Sequence, residues 1–268
     1  MAVQALNIDA ADLSAWVGRL WWPVLRIGGF VAVAPIASES TVPARVKIVL
    51  TLGLAFLIAP LAQAPAALSI FSAAGLLAAV QEMLIGVAIG MVVQLAFESL
   101  TLAGQTISMT MGLGFATLVD PQRGATTAVL GQMFMVIATL TYLAINGHLI
   151  LLGALANSFQ TLPIGTPHVD RDFLWSVASW GASVFETGLL IALPSVVALV
   201  IVNLALGVVT RAAPTLNLFS VGFPITVLAG IFVLIFGLDG VMSGMLNLIH
   251  GALAAVAELT SAASPGVP

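Results

Sequence analysis

The stretch G-Q-T-I-S-M-T-M-G-L-G-F-A-T-L-V-D-P-Q-R-G, residues 104–124, separates two long apolar segments and decides how the rest of the chain can be arranged. Gly104, Gly112 and Gly114 free the backbone and Pro121 stops it, so the run fits neither a helix interior nor a strand. In a chain that is otherwise almost all hydrocarbon, a Gly/Met/Thr-rich run ending in Asp-Pro-Gln-Arg-Gly is the candidate working part.

Outward from this stretch the chain has the composition of a membrane protein. Of 268 residues, 60% are hydrophobic and 7% charged, whereas soluble domains carry about 25% charged residues. Between Lys47 and Asp120 the only charges are Glu82 and Glu98, and residues 212–238 have none. Such segments must bury against lipid or against one another. Seven Lys and Arg scattered singly, in a chain of formal net charge -4, form no basic patch that could track phosphates, and no nucleic-acid partner is expected. The absence of cysteine removes disulfides, thiolate nucleophiles and Cys-ligated zinc or iron–sulfur sites. The N-terminus lacks the basic region and small-residue cleavage site of a secretory signal, so the first apolar segment is expected to stay in the mature protein. The tail, residues 258–268, is expected to fray.

Six apolar segments are expected, at roughly 13–34, 45–61, 68–102, 127–155, 173–209 and 216–257, giving an all-α fold of long, partly kinked helices arranged as hairpins. The third is too long for one perpendicular span: about 35 helical residues reach about 52 Å, against a hydrocarbon core of about 30 Å. Pro194 should kink the fifth segment, and Asp170 or Asp172 should cap its start. A short turn carrying Arg211, Pro214 and Asn217 joins the fifth and sixth as a hairpin. Arg45 and Lys47, Arg123, and Arg211 place the odd-numbered loops toward the cytoplasm and both termini outside.

Within the third segment, Glu82, Gly86, Gly90, Gln94 and Glu98 recur every four residues as a slowly drifting stripe, whose core G-V-A-I-G is a small-xxx-small packing face. Glu82 and Glu98 have two readings, pairing with partner helices or lining a wet path. Arg19 and Arg26 lie near one face of the first segment; they either snorkel or pair with a neighbouring carboxylate, or take part in conduction. Asn146, Gly147 and His148 in Y-L-A-I-N-G-H-L invite a metal or proton-relay reading. With no carboxylate or second His nearby in sequence, a hydrogen-bonded interfacial histidine is favoured. For the methionines of the central stretch, ordinary helix packing stands beside a working role.

Over nearly its whole length the sequence resembles the bacterial flagellar biosynthetic protein FliR family, whose virulence-system counterparts are the T components of type III secretion export apparatuses. The resemblance rests on L-W-W-P-V-L-R with A-P-I-A-S-E-S-T-V-P-A-R-V-K, on M-G-L-G-F-A-T-L-V-D-P-Q, on Y-L-A-I-N-G-H-L with S-F-Q-T-L-P-I-G, and on N-L-A-L-G-V-V-T-R-A-A-P-T-L-N-L-F-S-V-G-F-P. The T-R-A-A-P-T-L-N turn favours the flagellar branch. The chain has Gly104-Gln105 where the family often has Gly-Glu, so no carboxylate role carries over to that position.

The resemblance implies a non-enzymatic, cofactor-free subunit of a helical export-gate complex in the bacterial inner membrane, at the flagellar basal body. One copy of the chain would close a ring with P and Q components, beside a B component on the cytoplasmic side and a surrounding A-component ring. Unfolded flagellar subunits would be the cargo. Residues 1–172 resemble the P component and 173–257 the two-helix Q component, stacked as tilted hairpins, an arrangement that would account for the uneven segment lengths. The family's loop corresponding to residues 106–122 is thought to plug the channel. Met109, Met111, Leu113 and Phe115 would then form a deformable seal, Gly112 and Gly114 would permit the fold-back, and Asp120 and Pro121 would sit at the base. The rival class is an autonomous secondary transporter using Glu82, Glu98 and Glu186, for which the expected internal repeat is not evident. A membrane enzyme lacks any catalytic constellation at working spacing, and there is no P-loop.

Overall fold

The computed structural model describes residues 10–62, 69–70, 72–113, 129–212 and 222–261, with side chains of the first helix described from Leu20 onward. Among the described residues there are seven α-helices and no strand: α1 (Ala10–Val33), α2 (Ala44–Ile58), α3 (Ala73–Thr110), α4 (Val129–Ala144), α5 (Gly147–Thr161), α6 (Arg171–Ala212) and α7 (Phe223–Ser261).

Short polar side chains start two of the long helices. Ser72 Oγ accepts the Gly75 N–H at 2.9 Å ahead of α3, and Asp170 Oδ1 accepts the Phe173 N–H at 2.8 Å ahead of α6. Each satisfies one of the orphan donors of a first turn. Of the two candidate caps for α6, Asp170 is the cap, and Asp172 lies in the first turn, where it favours the positive end of the helix dipole. The helix continues through Pro194 and ends with Arg211 in its last turn.

Two boundaries differ from the sequence expectation. The third segment does not stop near Leu102; α3 runs on to Thr110 and takes Gly104 into its interior. Glycine costs a helix only about 1 kcal/mol relative to alanine, and here the missing side chain is what admits α4. A Cβ on Gly104 would lie 2.6 Å from Leu130 O and 2.8 Å from Gly131 Cα. Irregular backbone thus begins at Met111 rather than Gly104, and residues 114–128 lie outside the described residues.

The fourth segment is two helices. The chain breaks at Ile145 and Asn146, with Asn146 in the left-handed conformation (φ 57°) that asparagine tolerates better than most residues. Gly147 follows because Tyr142 occupies the space a side chain would need: a Cβ there would meet the ring at 2.4 Å. That ring also meets Phe97 edge-on, with centroids 5.5 Å apart. Gly147→Ala should therefore destabilise the detergent-solubilised protein by about 1–3 kcal/mol through overpacking, read as a lower unfolding temperature. Asn146→Gly should leave it nearly unchanged, and the opposite ranking would refute this account of the break.

The chain divides into two compact units, one of Met1–Gln94, His148–Ser179 and Leu253–Pro268, the other of Leu95–Gly147 and Trp180–Ala252. The first buries Trp22, Arg26, Ile27, Ile85, Ile89, Leu155 and Leu162 most completely; the second buries Phe97, Leu100, Ile107, Met111 and Tyr142. Three helices among the described residues are long and apolar enough to cross a membrane, or four if α4 and α5 count as one broken span. The most apolar stretch of α3 is 50% buried, but those of α6 and α7 only 17% and 11%. Large side chains such as Val208 and Phe236 stand 70% and 84% exposed. Surface of this kind has to be covered by lipid or by other chains.

Candidate functional site

The residues singled out in the sequence fall into two constellations, one in each unit. In the first unit, α3 and α1 meet backbone to backbone. A Cβ on Gly86 would lie 1.8 Å from Arg26 O, one on Gly90 3.0 Å from Ala34 N and Phe30 O, and one on Gly29 of α1 2.5 Å from Met83 O. The helix seated on the G-V-A-I-G face is thus the chain's own α1.

Glu82 lies one turn before Gly86, fully buried, and Arg26 forks onto it. Arg26 Nε donates to Oε2 at 2.7 Å and Nη2 to Oε1 at 3.0 Å. The same guanidinium donates from Nη1 to Ser158 O (2.7 Å) and Ser158 Oγ (3.1 Å), and from Nη2 to Leu162 O (2.8 Å). All five N–H donors of the guanidinium are used. The Phe159 ring covers the group, 4.2 Å from Cζ to the centroid. Arg26 therefore binds α1 to α3 and also satisfies Leu162 O just past the end of α5, where a helix terminus leaves carbonyls open, while Ser158 O takes its bond beside the one from the Leu162 N–H. Of the sequence readings for Arg26, pairing with a carboxylate is the one the geometry shows.

The rest of the stripe does not share this environment. Gln94 is half-buried and Glu98 exposed. A four-residue spacing on a 3.6-residue helix advances about 40° per step, so Glu98 has turned about 160° away from Glu82. Arg211 is exposed on the last turn of α6, and Pro214 and Asn217 lie outside the described residues. His148 is half-buried at the start of α5, its Nδ1 without a hydrogen-bond partner. No group of three His, Asp or Glu among the described residues could hold a metal. His168 is half-buried and bonded to Thr166 Oγ1; burial, then the Arg26 charge, hold its imidazole below the usual value against the pull of Asp170.

In the second unit lies the end of α3. Gly112 has φ 82°, a left-handed conformation that favours glycine. Its N–H donates to Met109 O at 3.0 Å, and the Leu113 N–H donates to Ser108 O at 3.1 Å. These two bonds make a Schellman cap, so Gly112 ends the helix because it turns. Met111 N–H reaches Ile107 O at 3.0 Å. The next two carbonyls are met from other helices: Asn203 Nδ2 of α6 donates to Thr110 O at 3.0 Å, and Thr226 Oγ1 of α7 to Met111 O at 3.1 Å. Met111 is 2% exposed, whereas Met109 is 70% exposed on the same turn. The Met111 side chain lies against Gly230, where a Cβ would meet its Cε at 2.4 Å. Gly114, Phe115, Asp120 and Pro121 lie outside the described residues.

Sequence reasoning missed Ser99, Asn203, Thr226 and Gly230. Ser99 Oγ donates to Val184 O at 2.7 Å, and Gly188 admits it, since a Cβ there would lie 1.9 Å from that oxygen. The available signal was a small or polar residue inside an apolar helix, which marks a close approach without naming the neighbour.

The family described as bacterial export proteins, family 1, matches residues 17–252. Curated proteins named flagellar biosynthetic protein FliR are similar along most of the chain. That of Escherichia coli (strain K12) is 39% identical over 226 residues, 84% of this chain and 86% of the relative. That of Pectobacterium carotovorum subsp. carotovorum is 40% identical over 233 residues, 85% and 87%. That of Caulobacter vibrioides is 33% identical over 240 residues, 88% and 94%.

Proposed function

The chain belongs to family 1 of the bacterial export proteins, and from that premise we propose that it is a non-enzymatic core subunit of the flagellar type III export gate. In this reading it helps to form and seal the entrance of the channel that passes unfolded flagellar subunits. The observation that carries the reading is the end of α3. A 38-residue helix closes in a Schellman cap whose outward carbonyls are held by two other helices, and an apolar Gly/Phe/Leu/Val run follows immediately. A fixed stem that leads into an apolar segment is what a closure needs. Methionine on the stem repacks around variable cargo without binding it strongly.

The uncovered apolar faces of α6 and α7 support assembly with the P and Q components, a single copy of this chain completing the ring. Residues 1–172 act as the P-like part and 173–257 as the Q-like hairpin. The B component contacts the cytoplasmic side, where the turn of Arg211, Pro214 and Asn217 lies, and the A-component ring surrounds it. The complex resides in the inner membrane with both termini periplasmic, on the balance of Arg45, Lys47, Arg123 and Arg211. A proton or cation path through Glu82 is disfavoured, because that carboxylate is held by the Arg26 fork.

Deleting residues 114–119, beyond the cap so that Met111 keeps its packing, should leave the complex recoverable with its P and Q partners. Cells overproducing it should become permeable to small solutes. Unchanged permeability with normal recovery would sink the closing role.

A further inference from the structure

We infer that the uncovered face of α7 is a seam for one neighbouring helix, and that Asp239 selects that helix by a single basic residue placed opposite it; this rests on the assembly with other export-gate subunits proposed above. Along α7, Leu228, Phe232, Ile235, Asp239, Met242 and Leu246 follow one another at steps of four and three, the spacing of a coiled-coil seam. Leu228, Phe232 and Ile235 stand 57%, 58% and 62% exposed, Asp239 is exposed, and Met242 and Leu246 are half-buried. A different face of α7 does the packing within its unit: Gly244 lies against Ile191 of α6, and Val241 and Met245 are buried.

The one charge in this seam has no counterpart within the chain. No described residue donates to the Asp239 carboxylate, and Ser243, one turn on, gives its proton to Gly240 O at 3.0 Å. Asp239 falls near the middle of a 39-residue helix long and apolar enough to cross a membrane, roughly 24 Å from its start, and residues 212–238 before it carry no charge. Lipid on this face would leave a carboxylate in hydrocarbon, which is costly. A water-filled path would suit the carboxylate but wet Leu228, Phe232 and Ile235 beside it. A second copy of the chain laid in register would oppose like charges. A helix that is apolar along its own seam and carries one Lys or Arg opposite Asp239 covers the apolar side chains and pairs the charge together. A single polar residue in such a seam fixes register and partner, because a wrong helix, or the right one slipped by a turn, leaves the carboxylate buried and unpaired.

The test co-expresses the full chain with the P and Q components and reads how much of each co-purifies with it in detergent. Asp239→Leu should lower co-purification on the order of ten-fold or more, because the partner's cation is left buried without its carboxylate. Asp239→Arg should lower it further, and Asp239→Glu should keep the parental yield. The full chain purified by itself should unfold at the parental temperature in all three, since the exposed carboxylate has no partner among the described residues; this separates a lost partner from a lost fold. A single cysteine at position 235, in a chain that has none, should cross-link to the neighbouring helix, and Asp in place of that helix's basic residue should restore Asp239→Arg. Equal or better co-purification of Asp239→Leu, the result expected for lipid or a water-lined path on this face, overturns the inference, as does a cross-linked helix without a basic residue. In either case a parent chain that still co-purifies with P and Q leaves the assembly reading standing. A parent chain that does not co-purify with them sinks both.

Discussion

Gly86→Ala should abolish recovery of the assembled protein, and Gly86→Leu should do so more completely. A methyl group at this position would lie 1.8 Å from Arg26 O and 2.8 Å from Arg26 C, and both atoms are backbone of α1. No rotamer change relieves such a clash; the helices have to part. Parting them also opens the contacts of Gly90 with Ala34 and of Gly29 with Met83, and draws Arg26 away from Glu82. Overpacking alone costs about 1–3 kcal/mol and occasionally more. Because the Arg26 hydrogen bonds would be strained with it, the effect should lie at or beyond the upper end. Gly153, which has nothing within 4 Å of its added Cβ, is the control: Gly153→Ala should stabilise α5 by up to about 1 kcal/mol through helix propensity. Size-exclusion recovery of the complex from detergent reads both. Normal recovery of Gly86→Ala would refute the backbone contact.

Arg26→Met should be the second severe variant. It leaves the Glu82 carboxylate buried without its cation, a change that costs about 3–5 kcal/mol, a large part of the 5–15 kcal/mol that typically holds a domain folded. It also takes the Arg26 donor from Leu162 O and leaves Ser158 O with the Leu162 N–H alone. Arg26→Lys should fail to restore stability, since a single ammonium cannot fork onto both carboxylate oxygens and still reach two carbonyls at the end of α5. The Arg26→Met/Glu82→Leu double variant should recover most of the loss, because removing both charges removes the desolvation cost along with the attraction. Thermal unfolding of the solubilised protein orders the three variants against the parent. If Arg26→Met unfolds at the parent temperature, or if the double variant is no better than the single, the pair does not hold this unit together.

The helices, their apolar character and the family were legible in the linear sequence, because each depends on composition or on motifs that lie within a few residues of one another. Sixty per cent hydrophobic residues with long uncharged runs cannot be solvated segment by segment, whatever the tertiary arrangement. The ordered motifs from L-W-W-P-V-L-R to V-G-F-P carry the resemblance that the family match over residues 17–252 bears out. The G-V-A-I-G face was readable as a close approach, since two glycines four apart leave a groove on any helix.

What each special residue does was decided by neighbours that lie far off in the chain. Gly104 and Gly112 look alike in the central stretch, yet Gly104 sits inside α3 as a space for α4, while Gly112 adopts a positive φ and ends the helix. Glu82 and Glu98 look alike on the stripe, but the 100° turn per residue carries one onto Arg26 and the other to the exposed side. Met109 and Met111 are two residues apart in the same motif; one stands exposed, and the other is packed on Gly230. Sequence by itself determined that this chain is a helical, membrane-compatible member of an export family. Only the tertiary structure decided which glycine turns, which glutamate is paired and where α3 ends, because steric room and hydrogen-bond partners are supplied by segments dozens of residues away.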